Sequence, residues 1–319
     1  MVFTVRKEVF SFDSRDNCSQ IHAVRWIPDT ENVAAVVQIV HGMAEYIERY
    51  EEFAKFLTDH NFVVTGEDHL GHGKSISPKG IKGYFCEQDP ATVVVRDVHR
   101  LKKITQDIYP GVPYFLMGHS MGSYIVRNYI CRYGSGIEGA LILGTGMQSD
   151  ALLFLSGILT SLESLFRGQN HVSTFIDTIA FHSYNKRIEH PRTRFDWLTK
   201  DTEKVDSYIA DENCGFTFTV NGFHTLFTLI RRSKNKKNLS MIPKDLPIFI
   251  ASGEQDPVGG YGVGAKKAYL SLIGAGLTKV DFTLYSEDRH EVFHELDKEI
   301  FMENVVTWLS KCLVIADSI

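Results

Sequence analysis

Ser120 stands in Gly118-His119-Ser120-Met121-Gly122, a Gly-x-Ser-x-Gly run with an apolar stretch before it and helical spacing after it. A serine on so sharp a strand-to-helix turn projects its hydroxyl above the sheet edge. Gly118 and Gly122 are expected there because side chains would clash where strand and helix come closest. An alcohol is negligibly ionised at neutral pH, so a nucleophilic Ser120 requires a base, and a histidine with pKa near about 6.5 suits. That histidine in turn requires a carboxylate to hold its tautomer and stabilise the imidazolium. Two later strand-like runs end in such groups: 246–251 leads into Ser252-Gly253-Glu254-Gln255-Asp256-Pro257, and 280–285 into Ser286-Glu287-Asp288-Arg289-His290-Glu291. Asp256 and His290 are the predicted acid and base, in the chain order nucleophile, acid, base. Glu254 and Asp288 are the neighbouring alternatives for the acid. His294 is the alternative base, although it is expected on the final helix. Acyl transfer also needs two N–H donors for the developing oxyanion. The backbone of Met121, directly after the nucleophile, supplies one, and Met43, after His41-Gly42, is the predicted second.

The elements that must position these groups follow from periodicity. Residues 3–12 and 20–27 alternate apolar and polar side chains around a turn-rich 13–17, an antiparallel hairpin signal. The apolar run 34–40 reads as a strand buried on both faces. A helix is predicted over 47–60, a strand over 62–65, a long loop over 76–89, a helix over 91–108, a strand over 113–118, a helix over 121–133 and a strand over 139–143. This β-α-β rhythm predicts a parallel sheet with helices on both faces. From about 147 to 240 the strand pattern disappears, and 151–166 is strongly apolar at helical spacing. The rhythm then resumes with a strand over 246–251, a helix over 262–274, a strand over 280–285 and a final helix over 295–313. The expected organisation is one α/β core (1–146 and 241–319) interrupted by a helical cap insertion (147–240), rather than two independent domains.

Composition narrows the function. With 44% hydrophobic and 23% charged residues the 319-residue chain is an ordinary globular protein. A net charge of −5 gives no support for nucleic-acid binding, which favours a basic patch. Five widely spaced cysteines without a C-x-x-C fit free thiols in a reducing compartment better than a disulfide framework or a zinc site. The first residues lack the apolar core of a signal peptide, so a cytoplasmic protein is the expectation. His41, His69, His72 and His119 line loops at one sheet edge, but Cys and carboxylate partners are not at ligand spacing, and no metal is predicted. The Lys/Arg run 231–237 is expected as a solvated linker face.

His41-Gly42-x-x-Glu45, Asp68-x-x-Gly71-His72-Gly73-x-Ser75, Gly118-His119-Ser120-Met121-Gly122, the Gly253-x-x-Asp256-Pro257 turn and the late His290 together resemble the monoacylglycerol lipase and lysophospholipase branch of the α/β-hydrolases. The resemblance covers essentially the whole chain and is weakest over 147–240. It implies a Ser-His-Asp serine hydrolase with a lid, acting on lipid-like esters and needing no metal or organic cofactor. In that branch a Glu and an Arg of the first loop help form a polar pocket for the glycerol head, and Glu45 and Arg49 stand at matching positions, with His41 beside them. By themselves these two residues equally fit an exposed i,i+4 pair on a helix start. Tyr46 stands where many relatives carry His. Leu155 and Leu159, on the apolar cap helix, are expected to wall an acyl-chain tunnel, and the same helix to rest on a membrane surface as a peripheral contact. At least half of that helix's apolar face is expected to pack on the core. Alternatives stay open: a general short-chain carboxylesterase, a peptidase or amidase such as the related proline-releasing aminopeptidases, an acyltransferase, or a non-catalytic ligand-binding fold.

Overall fold

A computed structural model describes residues 6–75 and 77–316. Eight strands form one sheet: β1 (Arg6–Asp13), β2 (Gln20–Ile27), β3 (Ala35–Val40), β4 (Phe62–Glu67), β5 (Tyr114–His119), β6 (Gly139–Leu143), β7 (Ile248–Gly253) and β8 (Val280–Tyr285). Their spatial order is β1-β2-β4-β3-β5-β6-β7-β8. β1 and β2 pair antiparallel, as do β2 and β4, and every pair from β4 to β8 is parallel. The hairpin expected from the first alternating runs is β1–β2, although residues 3–5 of that expectation, the first five residues of the N-terminal stretch and position 76 of the expected loop lie outside the described residues.

The central strands are buried along their whole length because helices cover both faces. One face packs against α2 (Pro90–Ile108), α3 (Met121–Tyr133) and α9 (Val263–Gly274), with Val98, Leu101, Ile125, Tyr129 and Leu272 in its core. The other packs against α1 (Glu51–Asp59) and α10 (Lys298–Ala316), through Phe53, Leu57, Val305 and Trp308. The 47–60 helix is thus a 3₁₀ turn over Ile47–Tyr50 followed by α1, and the final helix begins later than expected, at Lys298.

Between β6 and β7 the described chain contributes no strand to the sheet. It forms α4 (Asp150–Arg167), α5 (Thr174–Phe181), α6 (Thr202–Ala210), α7 (Val220–Ser233) and α8 (Lys236–Ser240). α4 starts where the Ser149 hydroxyl accepts from the Leu152 amide at 3.2 Å, and ends at Gly168 with φ 82°. Its packing departs from expectation. Only Leu153 and Thr160 are buried, whereas Phe154, Leu155, Leu162, Leu165 and Phe166 are exposed, the last to 80%. In the basic run Arg231, Lys236 and Lys237 are exposed as expected, while Arg232 pairs with Asp89 at 3.0 Å and Lys234 with Asp150 at 2.7 Å. All five cysteines are free, four of them buried and Cys18 exposed. Among the described residues no helix is long and apolar enough to cross a membrane.

Candidate active site

Ser120 occupies the turn between β5 and α3 with φ 54° and ψ −119°, a region that non-glycine residues rarely adopt. The neighbouring glycines explain how the turn closes. A Cβ on Gly118 would run into the Gly122 backbone, and one on Gly122 into the Val40 carbonyl of β3. The strained backbone is therefore held by packing on two sides.

His290 follows β8 and Asp256 follows β7, and the fold brings them together. His290 Nδ1 lies 3.0 Å from Asp256 Oδ1, both side chains being buried. At that distance the two groups are in ion-pair contact. Asp256 is held by its own loop: Oδ1 accepts from the Val258 amide at 2.8 Å and Oδ2 from the Ser252 hydroxyl at 3.1 Å. Burial opposes its charge, but the His290 imidazole and these donors outweigh burial and lower its pKa. Burial likewise opposes protonation of His290, and Asp256, then Glu291 and Glu45, reverse the balance and raise its pKa. Gly144, with φ 55°, completes the arrangement, since a Cβ there would sit 2.9 Å from His290 Cε1. Of the alternative acids, Glu254 is exposed and Asp288 pairs with Lys200 at 3.1 Å. His294 is not on the final helix but in a buried 3₁₀ turn, its Nδ1 2.8 Å from Glu291 Oε2.

Met43 and Met121 line the same cavity as Ser120 and His290. Met121 is the first residue of α3, where an N–H has no intrahelical acceptor and the helix dipole favours negative charge. The Met43 amide is oriented by His41. His41 Nε2 accepts from the His69 backbone N–H at 2.9 Å, which leaves the ring proton on Nδ1, and Nδ1 donates to the Gly42 carbonyl at 2.8 Å. In a trans peptide the N–H points opposite to the C=O, so fixing the Gly42 carbonyl also fixes the Met43 N–H. His41 does not line the cavity, which corrects the expectation that it contacts substrate: it supports the loop from behind. Its ring packs at a tilt against His69 and His72, with centroids 4.0 and 5.2 Å away, and burial holds all three imidazoles low, His72 at about 4. Among the described residues no group of three or more His, Cys, Asp or Glu side chains is arranged to hold a metal ion.

The cavity above Ser120 has a volume of about 280 Å³. Its walls come mainly from Phe181 and Tyr184 after α4, from Trp197, Phe195 and Phe216 in the segment around α6, and from Leu226 and Ile230 of α7. Leu155 and Leu159 are not among them. Sequence periodicity singled out the longer apolar helix α4, whereas α5 is the one that reaches the cavity. Of the predicted polar pair, Glu45 lines the cavity but Arg49 does not, and neither forms the exposed pair that its spacing equally allowed. Tyr46 does not line the cavity, its hydroxyl donating to Asp211 at 2.7 Å in the segment between β6 and β7.

The family model described as Hydrolase_4, serine aminopeptidase S33, matches residues 31–297. The chain belongs to that family. A monoglyceride lipase homolog of Monkeypox virus is 25% identical over 300 residues, covering 91% of this chain and 94% of its own. Human monoglyceride lipase is 39% identical over 100 residues, 31% of each chain. Among solved structures, a highly thermostable carboxyl esterase from Bacillus coagulans in complex with glycerol superposes with a TM-score of 0.89 at 28% identity, covering 97% of this chain and 100% of that one. The fold is the α/β-hydrolase fold, and the resemblance to the monoacylglycerol lipase branch that the motifs carried is met by these relatives.

Proposed function

We propose that this family member is a serine hydrolase that cleaves carboxylic esters of lipid-like substrates, with Ser120 as nucleophile, His290 as base and Asp256 as its partner. The observation that carries the reading is the strained Ser120 turn beneath an apolar cavity that also contains His290, itself 3.0 Å from Asp256. In the mechanism His290 takes the Ser120 proton as Oγ attacks the ester carbonyl, and the Met43 and Met121 amides hold the oxyanion. The alcohol leaves with the proton from His290, and water releases the acyl group by the same steps. The relatives named for monoglyceride lipase and carboxyl esterase activity support an ester as the substrate.

The charge arrangement favours esters over aminopeptidase substrates. A free α-ammonium needs an unpaired carboxylate to receive it. The floor carboxylates Glu45 and Glu291 are already paired with Arg49, and burial raises the pKa of the third acid in the cavity wall, Asp177, which disfavours its charged form. Residues 147–240 are read as the cap, the exposed apolar side of α4 as a peripheral contact with a lipid surface, and the free cysteines as those of a cytoplasmic protein.

The experiment is hydrolysis of a matched panel: p-nitrophenyl esters from short to long acyl chains, monoacylglycerols, lysophosphatidylcholine and a proline arylamide. Preference for a medium or long acyl chain on glycerol is expected. Activity confined to short esters would replace the lipase reading by a general esterase, and arylamide cleavage alone would overturn the substrate class.

A further inference from the structure

Acyl transfer by Ser120, His290 and Asp256 leaves one buried charge cluster beside the site unused. Glu45 Oε1 accepts from the Gly42 amide at 2.5 Å and from the Tyr50 hydroxyl at 2.8 Å, and Glu45 Oε2 accepts from Arg49 Nη1. The same guanidinium donates to Glu291 in a two-pronged contact, Nη1 to Oε1 at 2.8 Å and Nη2 to Oε2 at 2.9 Å. Glu291 follows the base His290 directly in the chain. All three side chains are at least nine-tenths buried, and the Tyr208 ring covers Arg49 at 4.7 Å from its centroid. Arg49 therefore bridges two loops whose residues are 242 apart in sequence, one bearing an oxyanion donor and the other the base.

We propose that Arg49 is a positioning residue, which through Glu45 and Glu291 locks the Gly42–Met43 loop to the loop carrying His290, and that it does not hold the substrate head group. This rests on the esterase reading. Two-pronged guanidinium–carboxylate contacts fix angle as well as distance. Glu45 holds the Gly42 amide on one side of the oxyanion loop while His41 holds the Gly42 carbonyl on the other. Arg49 is absent from the cavity wall, so a bound head group meets the two carboxylates and not the guanidinium.

The test compares wild type, Arg49→Lys and Glu291→Gln on two esters of one acyl chain, a monoacylglycerol and the corresponding methyl ester, and on the rate at which a fluorophosphonate labels Ser120. Lysine keeps the charge but cannot make the two-pronged contact. Misplacement of the loops is expected to lower kcat roughly 10- to 100-fold on both esters by the same factor, with KM nearly unchanged and labelling slowed in proportion. A rise in KM confined to the monoacylglycerol, with labelling unchanged, would make Arg49 a head-group binder and overturn the proposal. Unchanged kinetics throughout would overturn it equally. Should Arg49→Lys fail to fold, the near-isosteric Glu291→Gln carries the same comparison and adds a readout. The charged and titratable groups facing His290 are Asp256, Glu291, Glu45 and His119. Removing the Glu291 charge is expected to move the acid limb of kcat/KM to lower pH, which an inert scaffold residue would not do. If wild type labels but hydrolyses neither ester, the esterase reading fails while labelling still tests Arg49. If wild type does not label, both fail.

Discussion

The floor of the cavity and the outer part of the cap use their side chains in opposite ways. On the floor, polar and charged groups are buried and almost all are paired: Glu45 with Gly42, Tyr50 and Arg49; Glu291 with Arg49 and His294; Asp256 with Ser252, Val258 and His290. In α4 and α5 the large apolar side chains Phe154, Leu165, Phe166 and Phe175 are turned to solvent. Buried pairs of that kind lose several kcal/mol when one partner is removed, because the other is left uncompensated. Exposed apolar residues can be exchanged for polar ones at nearly no cost to folding. The floor thus holds buried pairs in one geometry, whereas α4 and α5 leave large apolar side chains in solvent.

This contrast can be broken or sharpened at graded strengths. The largest effect belongs to Ser120→Ala, expected to lower kcat about 10⁴- to 10⁶-fold without unfolding the chain, since alanine fits where the hydroxyl stood. Steady-state rates paired with a melting curve check it, and appreciable residual turnover would remove Ser120 from the chemistry. Asp256→Asn comes next, with a loss of roughly 10⁴-fold in kcat through the wrong His290 tautomer. A fall of less than tenfold would mean that another acid orients the base. Gly122→Ala tests the floor by packing alone: its Cβ meets the Val40 carbonyl, and a stability loss of about 1–3 kcal/mol is expected in denaturant titration.

The pH profile follows from the direction of the His290 shift. The base must be neutral to act, and its pKa lies above the ordinary histidine value, so kcat/KM is expected to fall on the acid side with a midpoint above about 6.5. The sign for stability is reversed. A group whose pKa is raised by folding contributes stability that is fully present below its unfolded pKa and lost as pH rises through the folded one. A rate profile flat down to pH 5 would count against His290 as the base. The smallest effect is reserved for the cap surface. Leu165→Ser with Phe166→Ser is expected to change stability by within about 0.5 kcal/mol and to leave hydrolysis of a dissolved short ester unaltered. Slower hydrolysis of the same acyl group presented in vesicles would sharpen the contrast between the two regions, and equal rates would erase it.

The parts of this molecule that depend on local pattern were legible in the sequence. The Ser120 turn, the succession of strands along the chain and the loops carrying Asp256 and His290 each follow from spacing. The errors fall where a residue's role depends on what lies across space. Periodicity identifies α4 as apolar but says nothing of whether that side faces core or solvent, and so Leu155 and Leu159 were placed in a cavity that α5 lines instead. Arg49 and Glu45 at i,i+4 looked the same whether exposed or buried, because the deciding partner, Glu291, is 242 residues from Arg49. Gly144 carried a weak signal, a glycine directly after a strand, which alone does not reveal the imidazole packed against it. α6 is short and begins after a turn-rich stretch, and its contribution of Tyr208 had no pattern to announce it.

One feature of the cap changes what can be treated as a unit. The segment from Asp196 to Gly215 is sewn to the catalytic loops: Trp197 and Leu198 carbonyls accept from the His290 and Glu291 amides at 3.4 and 2.7 Å, Arg289 donates to the Asp196 carbonyl at 2.6 Å, and the Tyr208 hydroxyl and Gly215 amide both donate to the Ala44 carbonyl, at 3.1 and 2.9 Å. Grafting the whole insertion from a relative would therefore import foreign partners for the base and the oxyanion loop together with a new roof. The smaller piece carrying α4 and α5 takes no part in these hydrogen bonds, so exchanging that piece alone leaves the partners of the His290, Glu291 and Ala44 backbone in place.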